Sequence, residues 1–278
     1  MSESLHIGIL VEARYREQSQ PAGLISALRK RGIRVSVIDP QTASCAMGDD
    51  GWLDGLDLIV ARGRSYSLLC LLAWAESRGV RTINTKQSIA AVHNKAEMSV
   101  KLAAGNLPMP RSFFGNINRL VEETTRASYP LILKPVFGDN CAGLRVVGSA
   151  DEMRRVEWRE PVALAQSFLP TDGYDLNLYS IGDAVWAVRK PSPLDRINRT
   201  SCDGLFAELL PLTKELEEMA RQCGEMFGLE LFGVDCIETE NGPVIIEVNN
   251  YPNYTGVPRA SECLADYVIS RALQESLL

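Results

Sequence analysis

Residues 233–249 read Gly233-Val-Asp235-Cys-Ile-Glu-Thr-Glu-Asn-Gly-Pro-Val-Ile-Ile-Glu247-Val-Asn249. The apolar residues on both sides of Asn-Gly predict two strands joined by a tight turn, because Asn-Gly tolerates the positive φ that such turns need. Glu247 and Asn249 are two residues apart, so they point to the same face of their strand, where Asp235 of the facing strand can join them. The stretch therefore predicts three oxygen ligands on one sheet face. The alternative is the exposed polar face of a surface hairpin.

Such a ligand set suits Mg²⁺, which binds through one or two carboxylates and completes its shell with water and substrate phosphates. A second stretch, Tyr129-Pro-Leu-Ile-Leu-Lys134-Pro-Val-Phe-Gly138-Asp-Asn-Cys-Ala-Gly143, offers a place for those phosphates. A lysine at the end of an apolar strand is costly to bury without an anion, and glycines let backbone amides approach phosphate oxygens. The pattern predicts a phosphate clamp. Alternatively, Lys134 reaches the surface and the two glycines only turn a hairpin.

The N-terminal part alternates strands with helices. Strands are predicted at 5–11, 35–38, 56–61 and 80–84, and helices at 21–31 and 68–77. This alternation predicts an α/β unit with a parallel sheet covered by helices on both faces. The turn after the first strand lacks Gly-x-Gly-x-x-Gly, so a dinucleotide site is not favoured.

The remaining elements predict two further sheets with their own helices. They are a helix at 88–104, strands at 131–136, 144–147 and 162–168, a helix at 150–156, strands at 175–181 and 184–189, a polar loop at 191–204, a helix at 213–227, the hairpin at 232–249 and a closing helix from Ala260.

Composition limits the classes of function. The chain has 278 residues, enough for two or three packed units. A net charge of −6 and a pI of about 5.2 argue against a protein that binds nucleic acid by charge. Seven cysteines without a Cys-x-x-Cys motif and two histidines do not make a zinc site. The apolar runs are too short to span a bilayer and no signal peptide is evident, so we expect a cytoplasmic protein without a membrane partner.

Taken together, the motifs resemble the ATP-grasp superfamily. Their order is Asn94-Lys95, then the Lys134 strand with its glycine loop, then Gln166-Ser-Phe-Leu and Asp175, and finally the acidic hairpin. The chain is most similar to the ribosomal-protein glutamate ligases and the amino-acid-carrier-protein ligases of lysine biosynthesis, from about Ser88 to the C terminus. The resemblance implies a Rossmann-like N-terminal domain (1–88) followed by a two-lobed α+β ATP-grasp fold, with a central lobe (89–166) and a C-terminal lobe that carries the metal site (167–278).

The resemblance also implies a role for each matching residue. For ATP these are Lys95, Lys134, Gly138 and Gly143 at the phosphates, Ser167, Phe168 and Leu169 as the hinge against adenine, and Asp175 at the ribose. Asp235, Glu247 and Asn249 would hold Mg²⁺, with Mn²⁺ as a substitute. Arg196, Asn198 and Lys190 would be catalytic, touching the γ-phosphate or acyl phosphate, with Arg189 nearby. Two departures are Asp139–Ala142, where relatives often have another glycine, and Ser167 in place of a glutamate.

The implied activity is an ATP-dependent carboxylate–amine ligase that forms an amide through an acyl phosphate and releases ADP and phosphate. The alternatives are an ATP-grasp kinase acting on a small polyol or inositol phosphate, and a non-catalytic nucleotide-binding module. The acidic pI disfavours the densely basic lining that a polyphosphate substrate needs.

The sequence does not name the two substrates. Small-molecule or peptide carboxylates and amines are expected, with a carrier protein as a further candidate and a homo-oligomer as in relatives. Arg62, Arg64 and Tyr66 follow the third strand, where a parallel sheet presents ligand contacts. They are candidates for gripping a carboxylate. A solvated loop is the alternative.

Overall fold

A computed structural model describes residues 5–139, 141–192 and 206–274, which form three sheets. The first consists of β1 (His6–Val11), β2 (Arg34–Ile38), β3 (Leu58–Arg62) and β4 (Arg81–Ile83), in the order β2-β1-β3-β4. All of its strand pairs are parallel, as predicted.

Helices cover both faces of this parallel sheet. Short α1 (Ala13–Arg16) follows β1, and α2 (Ser19–Lys30) packs on one face together with the final helix of the chain, Ala260–Leu273. The other face packs against α3 (Tyr66–Ser77) and α4 (Lys86–His93). The sequence predicted the two-sided cover, but not that the closing helix returns to supply part of it.

The second sheet is antiparallel and has one face turned toward a pocket. It contains β5 (Ser112–Gly115), β6 (Leu131–Lys134), β7 (Arg145–Val147) and β8 (Ala163–Ser167), in the order β5-β8-β6-β7. Helices α6 (Ile117–Glu123) and α7 (Ala150–Arg154) pack against Leu131 and Leu133. Because side chains alternate along a strand, Ile132 and Lys134 point the other way. The strand β5 and the helix α6 had not been predicted.

The third sheet is also antiparallel and carries the acidic hairpin. It contains β9 (Tyr174–Ile181), β10 (Ala184–Pro191), β11 (Glu208–Leu210), β12 (Leu231–Thr239) and β13 (Gly242–Asn250), in the order β11-β10-β9-β12-β13. The helices α5 (Lys95–Ala104) and α8 (Lys214–Phe227) cover one face through Met98, Leu102 and Phe227. We number the final helix, Ala260–Leu273, α9. Throughout the described ranges, each helix is too short or too polar to cross a bilayer.

The single helix predicted for 88–104 is wrong, because the chain breaks at Asn94 into α4 and α5. Asn94 has φ −86° and ψ 103°, and its side chain accepts hydrogen bonds from the backbone N–H groups of Ala96 (3.0 Å) and Glu97 (3.1 Å). This N-cap starts α5 at Lys95, whose own N–H donates to the carbonyl of Val136 at 3.0 Å. The break therefore fixes Lys95 beside the glycine loop.

Asn84 joins the parallel sheet to the hairpin sheet. It is 1% exposed, and its side-chain oxygen accepts from the N–H groups of Glu230 (2.7 Å) and Leu231 (3.0 Å). Its amide nitrogen donates to the carbonyl of Leu231 at 2.7 Å. The contact sets the position of the N-terminal sheet relative to β12.

We expect Asn84→Ala to lower the free energy of unfolding by about 2–6 kcal/mol, because it leaves the N–H groups of Glu230 and Leu231 without a partner at roughly 1–3 kcal/mol each. Chemical denaturation measures the change. Asn118→Ala, at an exposed position of α6, is the control, and a surface substitution of this kind should stay within about 0.5 kcal/mol of the unmodified protein. An equally small change in the free energy of unfolding of Asn84→Ala would contradict the proposed role of the Asn84 contact.

Candidate active site

The hairpin brings Asp235, Glu247 and Asn249 together, as its spacing predicted. Asp235 pairs with Glu247 across the two strands, and the Asn249 side-chain amide donates to Asp235 Oδ2 at 3.0 Å. Cys236 then pairs with Ile245, so Ile246 is an extra residue that forms a β-bulge. Because a bulge re-aims side chains, Ile246 and Glu247 both line the same pocket.

The donor set fits Mg²⁺ better than a transition metal. Two carboxylates and one amide oxygen suit an ion that takes its remaining ligands from water and phosphate. Within the described ranges, no group of three or more His, Cys, Asp or Glu side chains is placed to hold a metal. The role of the three residues as metal ligands stays a prediction.

The electrostatic environment of the two carboxylates differs. Burial raises the pKa of Asp235, and the charge of Glu247 adds to the rise. Burial by itself would raise the pKa of Glu247 as well, but the positive charges of Lys95 and Arg64 lower it overall. Lys95 is 6% exposed and forms a salt bridge with Glu247. Lys95 and Arg64 thus favour the ionised form of Glu247, whereas burial disfavours that of Asp235, and the same cations would also attract a bound triphosphate.

Lys134 lines the pocket that contains Asp235 and Glu247, and Lys190 lies near enough to Asp235 to interact with its charge. Lys134 is 9% exposed, and burial lowers its pKa to about 8. Burial would also lower the pKa of Lys190, but Asp235 and the nearby Tyr179 raise it overall. Lys190 Nζ donates to the Tyr179 hydroxyl at 3.2 Å. The predicted phosphate contacts of both lysines stay predictions.

Arg189 does not join them, which corrects the expectation of a further cation at the site. Neighbouring residues of a strand point to opposite faces. Arg189 forms a salt bridge with Asp172 and stacks over the ring of Tyr174, with its guanidinium carbon 4.3 Å from the ring centroid. Arg196 and Asn198 lie outside the described residues.

A cavity of about 90 Å³ lies between the second and third sheets. Its apolar lining includes Ile132 and Leu144 on one side and Ile237 and Ile246 on the other, and Asp175 and the two carboxylates add polar groups. The facing apolar side chains are suited to holding an adenine ring. The sequence analysis missed them, although Ile132 alternates with core residues and Ile246 flanks Glu247. The cavity is smaller than the roughly 300–1,000 Å³ of ligand pockets in general.

The predicted adenine hinge, residues 167–169, begins at the last residue of β8. The N–H of Ser167 donates to the carbonyl of Arg111 at 2.9 Å, and the N–H of Phe168 donates to the carbonyl of Pro130 at 3.0 Å. These two donors already serve the protein itself. The predicted backbone contact to adenine would therefore have to come from Leu169 or from the carbonyl groups of the hinge.

The glycine loop separates this pocket from a cavity of about 980 Å³, since Pro135, Gly138, Asp139 and Ala142 line both. Arg64 reaches across from the N-terminal unit. Its guanidinium donates to the Gly138 carbonyl at 3.0 Å and to Asn249 Oδ1 at 2.7 Å. Of the three candidates after β3, Arg64 thus contacts the site directly.

The other two candidates after β3 lie differently. Arg62 stacks on Tyr15 at 4.4 Å and donates to the Asn250 carbonyl at 3.3 Å, so it supports the site from behind. Tyr66 is 83% exposed and lines the larger cavity.

Glu12, at the end of β1, holds the turn that presents Arg64. It is 1% exposed and accepts hydrogen bonds from the N–H groups of Arg64 and Ser65, the latter at 2.7 Å. Glu12, Arg14 and Tyr15 had not been predicted as site residues. The signal that pointed to Arg64, a position after a parallel strand, applies equally to them.

Two lobes that bring lysines, carboxylates and apolar side chains together around one pocket, behind a parallel N-terminal sheet, define an enzyme of the ATP-grasp class. The chain belongs to the RimK-like ATP-grasp domain family, whose model matches residues 93–273. It is therefore an ATP-dependent ligase of the kind that forms amide bonds. The α/β fold and the ligase class predicted from the motifs are confirmed, and the kinase alternative is not favoured.

Similar proteins are named as ligases. A probable alpha-L-glutamate ligase of Xanthomonas euvesicatoria pv. vesicatoria (strain 85-10) is 28% identical over 253 residues, covering 84% of this chain and 86% of that protein. The alpha-aminoadipate–LysW ligase LysX of Sulfurisphaera tokodaii is 25% identical over 241 residues, covering 80% and 82%. The structure of the ATP-grasp ligase PsnB complexed with minimal precursor, Mg and ADP shares the fold, with a TM-score of 0.70 at 19% identity over 96% of this chain and 97% of that one.

Proposed function

We propose that the enzyme uses ATP to phosphorylate the carboxylate of an amino acid or peptide and then joins the resulting acyl group to an amine. The observation that carries the proposal is the position of Arg64. One guanidinium contacts the candidate metal ligand Asn249, the glycine loop and the cavity of about 980 Å³. A carboxylate in that cavity would therefore lie next to the phosphates of a nucleotide held between the sheets.

In this proposal, two lysines of the central lobe bind the triphosphate. Lys95 and Lys134 contact the phosphates, and Asp175 binds the ribose. Asp235, Glu247 and Asn249 would hold Mg²⁺. When bound, the ion would neutralise the negative charge that develops on the transferred phosphoryl group. Once a cation neutralises the Glu247 carboxylate, Lys95 can leave this salt bridge and bind a phosphate oxygen instead.

The second step is attack of the amine on the acyl phosphate, with loss of phosphate. Arg196, Asn198 and Lys190 are proposed to contact the γ-phosphate and then the acyl phosphate, as the resemblance implies. An acyl phosphate hydrolyses in water, so the loop around Gly138 and Gly143 has to keep water out while the intermediate exists.

The larger cavity indicates the chemical class of the substrates. It has cationic lining from Arg14 and Arg64, and anionic lining from Glu97 and Glu160. Apolar groups, Tyr66 and Phe137 among them, are exposed at 83% and 64%. Paired charges of both signs suit a zwitterion, and the volume exceeds that of a single amino acid. We therefore propose amino-acid or peptide substrates, and a carrier protein, as the name of LysX states for that relative, is one form the acceptor can take.

The test is to trap the acyl phosphate. The enzyme is incubated with Mg-ATP and single amino acids or short peptides in the presence of hydroxylamine, which converts an acyl phosphate into a stable hydroxamate. We expect hydroxamate, ADP and phosphate in equal amounts with the right acid, and an amide when an amine replaces hydroxylamine. A stable phosphorylated product without free phosphate would instead support the kinase alternative and contradict the ligase mechanism.

A further inference from the structure

The carboxylate of Asp139, in the glycine loop, lies among three donors of the N-terminal unit. The Tyr15 hydroxyl donates to Asp139 Oδ2 at 2.5 Å, and Arg14 Nη1 lies 3.4 Å from the same oxygen. Arg64 Nη2 lies 3.8 Å from Oδ1. Asp139 is a loop residue 124 positions away from Tyr15 in the sequence. The Asp139 carboxylate thus lies beside one tyrosine and two arginines of the N-terminal unit.

The three donors are held in place by their own partners. Tyr15 is 3% exposed, and guanidiniums lie over its ring, Arg14 at 4.6 Å and Arg62 at 4.4 Å from the centroid. Arg14 Nε donates to the buried carboxylate of Glu12 at 2.9 Å. A set of donors fixed in this way has little side-chain entropy left to lose when it binds an anion.

This cluster of donors lies close to the candidate metal ligands. Arg14, Arg64 and Asp139 all line the cavity of about 980 Å³, and Arg64 Nη2 also lies 3.8 Å from Glu247. A carboxylate held here would be within reach of the candidate metal ligands. Asp139 occupies a place that suits a substrate.

We propose that Tyr15, Arg14 and Arg64 form a carboxylate-binding subsite of the larger cavity, and that Asp139 fills it until a substrate carboxylate takes its place. The inference rests on the proposed function, because it identifies where the acid to be activated binds. Asp139 then acts as an internal competitor that weakens carboxylate binding and keeps the guanidiniums paired. Arginine is suited to this exchange, because its planar fork binds one carboxylate as well as another.

The test compares the affinity of glutarate, a flexible dicarboxylate, for unmodified protein and for Asp139→Ala by calorimetry on the full chain. Removing the competitor should tighten glutarate binding at least tenfold, since hydrogen bonds to charged groups contribute about 1.5–3 kcal/mol and each 1.4 kcal/mol is tenfold. Glutaramide, which replaces both carboxylates by neutral amides, should show no such gain. Adding Arg64→Gln to Asp139→Ala should abolish it.

Asp151→Ala is the matched control, because it removes one negative charge from the exposed helix α7, outside both cavities. An equal gain in this control would mean that net charge alone acts, and would overturn the subsite. So would an unchanged glutarate affinity in folded Asp139→Ala, or a gain that survives Arg64→Gln; unfolding curves establish that each variant is folded. The hydroxamate assay on unmodified protein decides the proposed function separately, whichever result glutarate gives.

Discussion

Asp235→Asn is expected to remove most of the turnover while leaving the protein as stable as before, or more stable. The amide keeps the shape of the side chain but loses the charge that attracts Mg²⁺. Metal stabilisation of a transferred phosphoryl group amounts to several kcal/mol, so we expect a loss of at least about a hundredfold in kcat. The stability is expected to stay level or to rise because Asp235 is a partly buried carboxylate that faces a second one, Glu247.

Glu238→Gln is the control for this prediction. Glu238 lies on the same strand but is exposed, so the same change of charge should leave both turnover and unfolding midpoint near those of the unmodified protein. The measurement is steady-state ADP release with the acid found in the hydroxamate assay. Near-normal turnover in folded Asp235→Asn would refute the metal assignment.

Local patterns predicted that Asp235, Glu247 and Asn249 lie together, because strand pairing is local. The spacing of Glu247 and Asn249 and the Asn-Gly turn are all contained in one hairpin, so alternation alone placed the side chains. The β-bulge at Ile246 was not predictable in the same way. A bulge depends on how many residues of the partner strand face it, and single-strand alternation does not contain that information.

The break at Asn94 shows a different limit. Apolar spacing continues across it, with Ile89 and Val92 on one side and Met98 on the other, which predicts one helix. Asparagine competes with the helix by bonding its side chain to nearby backbone N–H groups, and here that competition wins. At this position the capping preference of asparagine decides the structure more than the apolar periodicity does. As a result, α5 begins at Lys95.

The partners of Arg64 and of Tyr15 could not be predicted from local patterns. Tyr15 and Asp139 are 124 residues apart, and Arg64 and Asn249 are 185 residues apart. The packing of the N-terminal unit against the glycine loop brings the first pair together, and its packing against the hairpin sheet brings the second pair together. The position of Arg64 after a parallel strand made it a candidate, but its partners belong to the tertiary structure.

Lys134→Met should weaken ATP binding by at least about tenfold and raise the free energy of unfolding. Methionine keeps most of the volume but removes a charge that is 9% exposed and costly to bury without an anion. A charged hydrogen bond to phosphate contributes about 1.5–3 kcal/mol, which gives the expected loss of affinity. Lys214→Met, at an exposed position of α8, changes the net charge equally and should leave ATP affinity unchanged.

The pH dependence of ATP affinity gives an independent measurement of the same contact. Burial lowers the pKa of Lys134 to about 8, whereas a bound phosphate favours the charged form and raises it again. Above pH 8 the free protein must take up a proton to bind ATP, whose phosphates are already ionised. Calorimetric affinity should therefore fall as pH rises from 8 to 10, by up to about tenfold per unit. Lys134→Met should lose this dependence. An affinity in the unmodified protein that is flat over this range would place the triphosphate away from Lys134, and the clamp would have to be sought elsewhere between the two lobes.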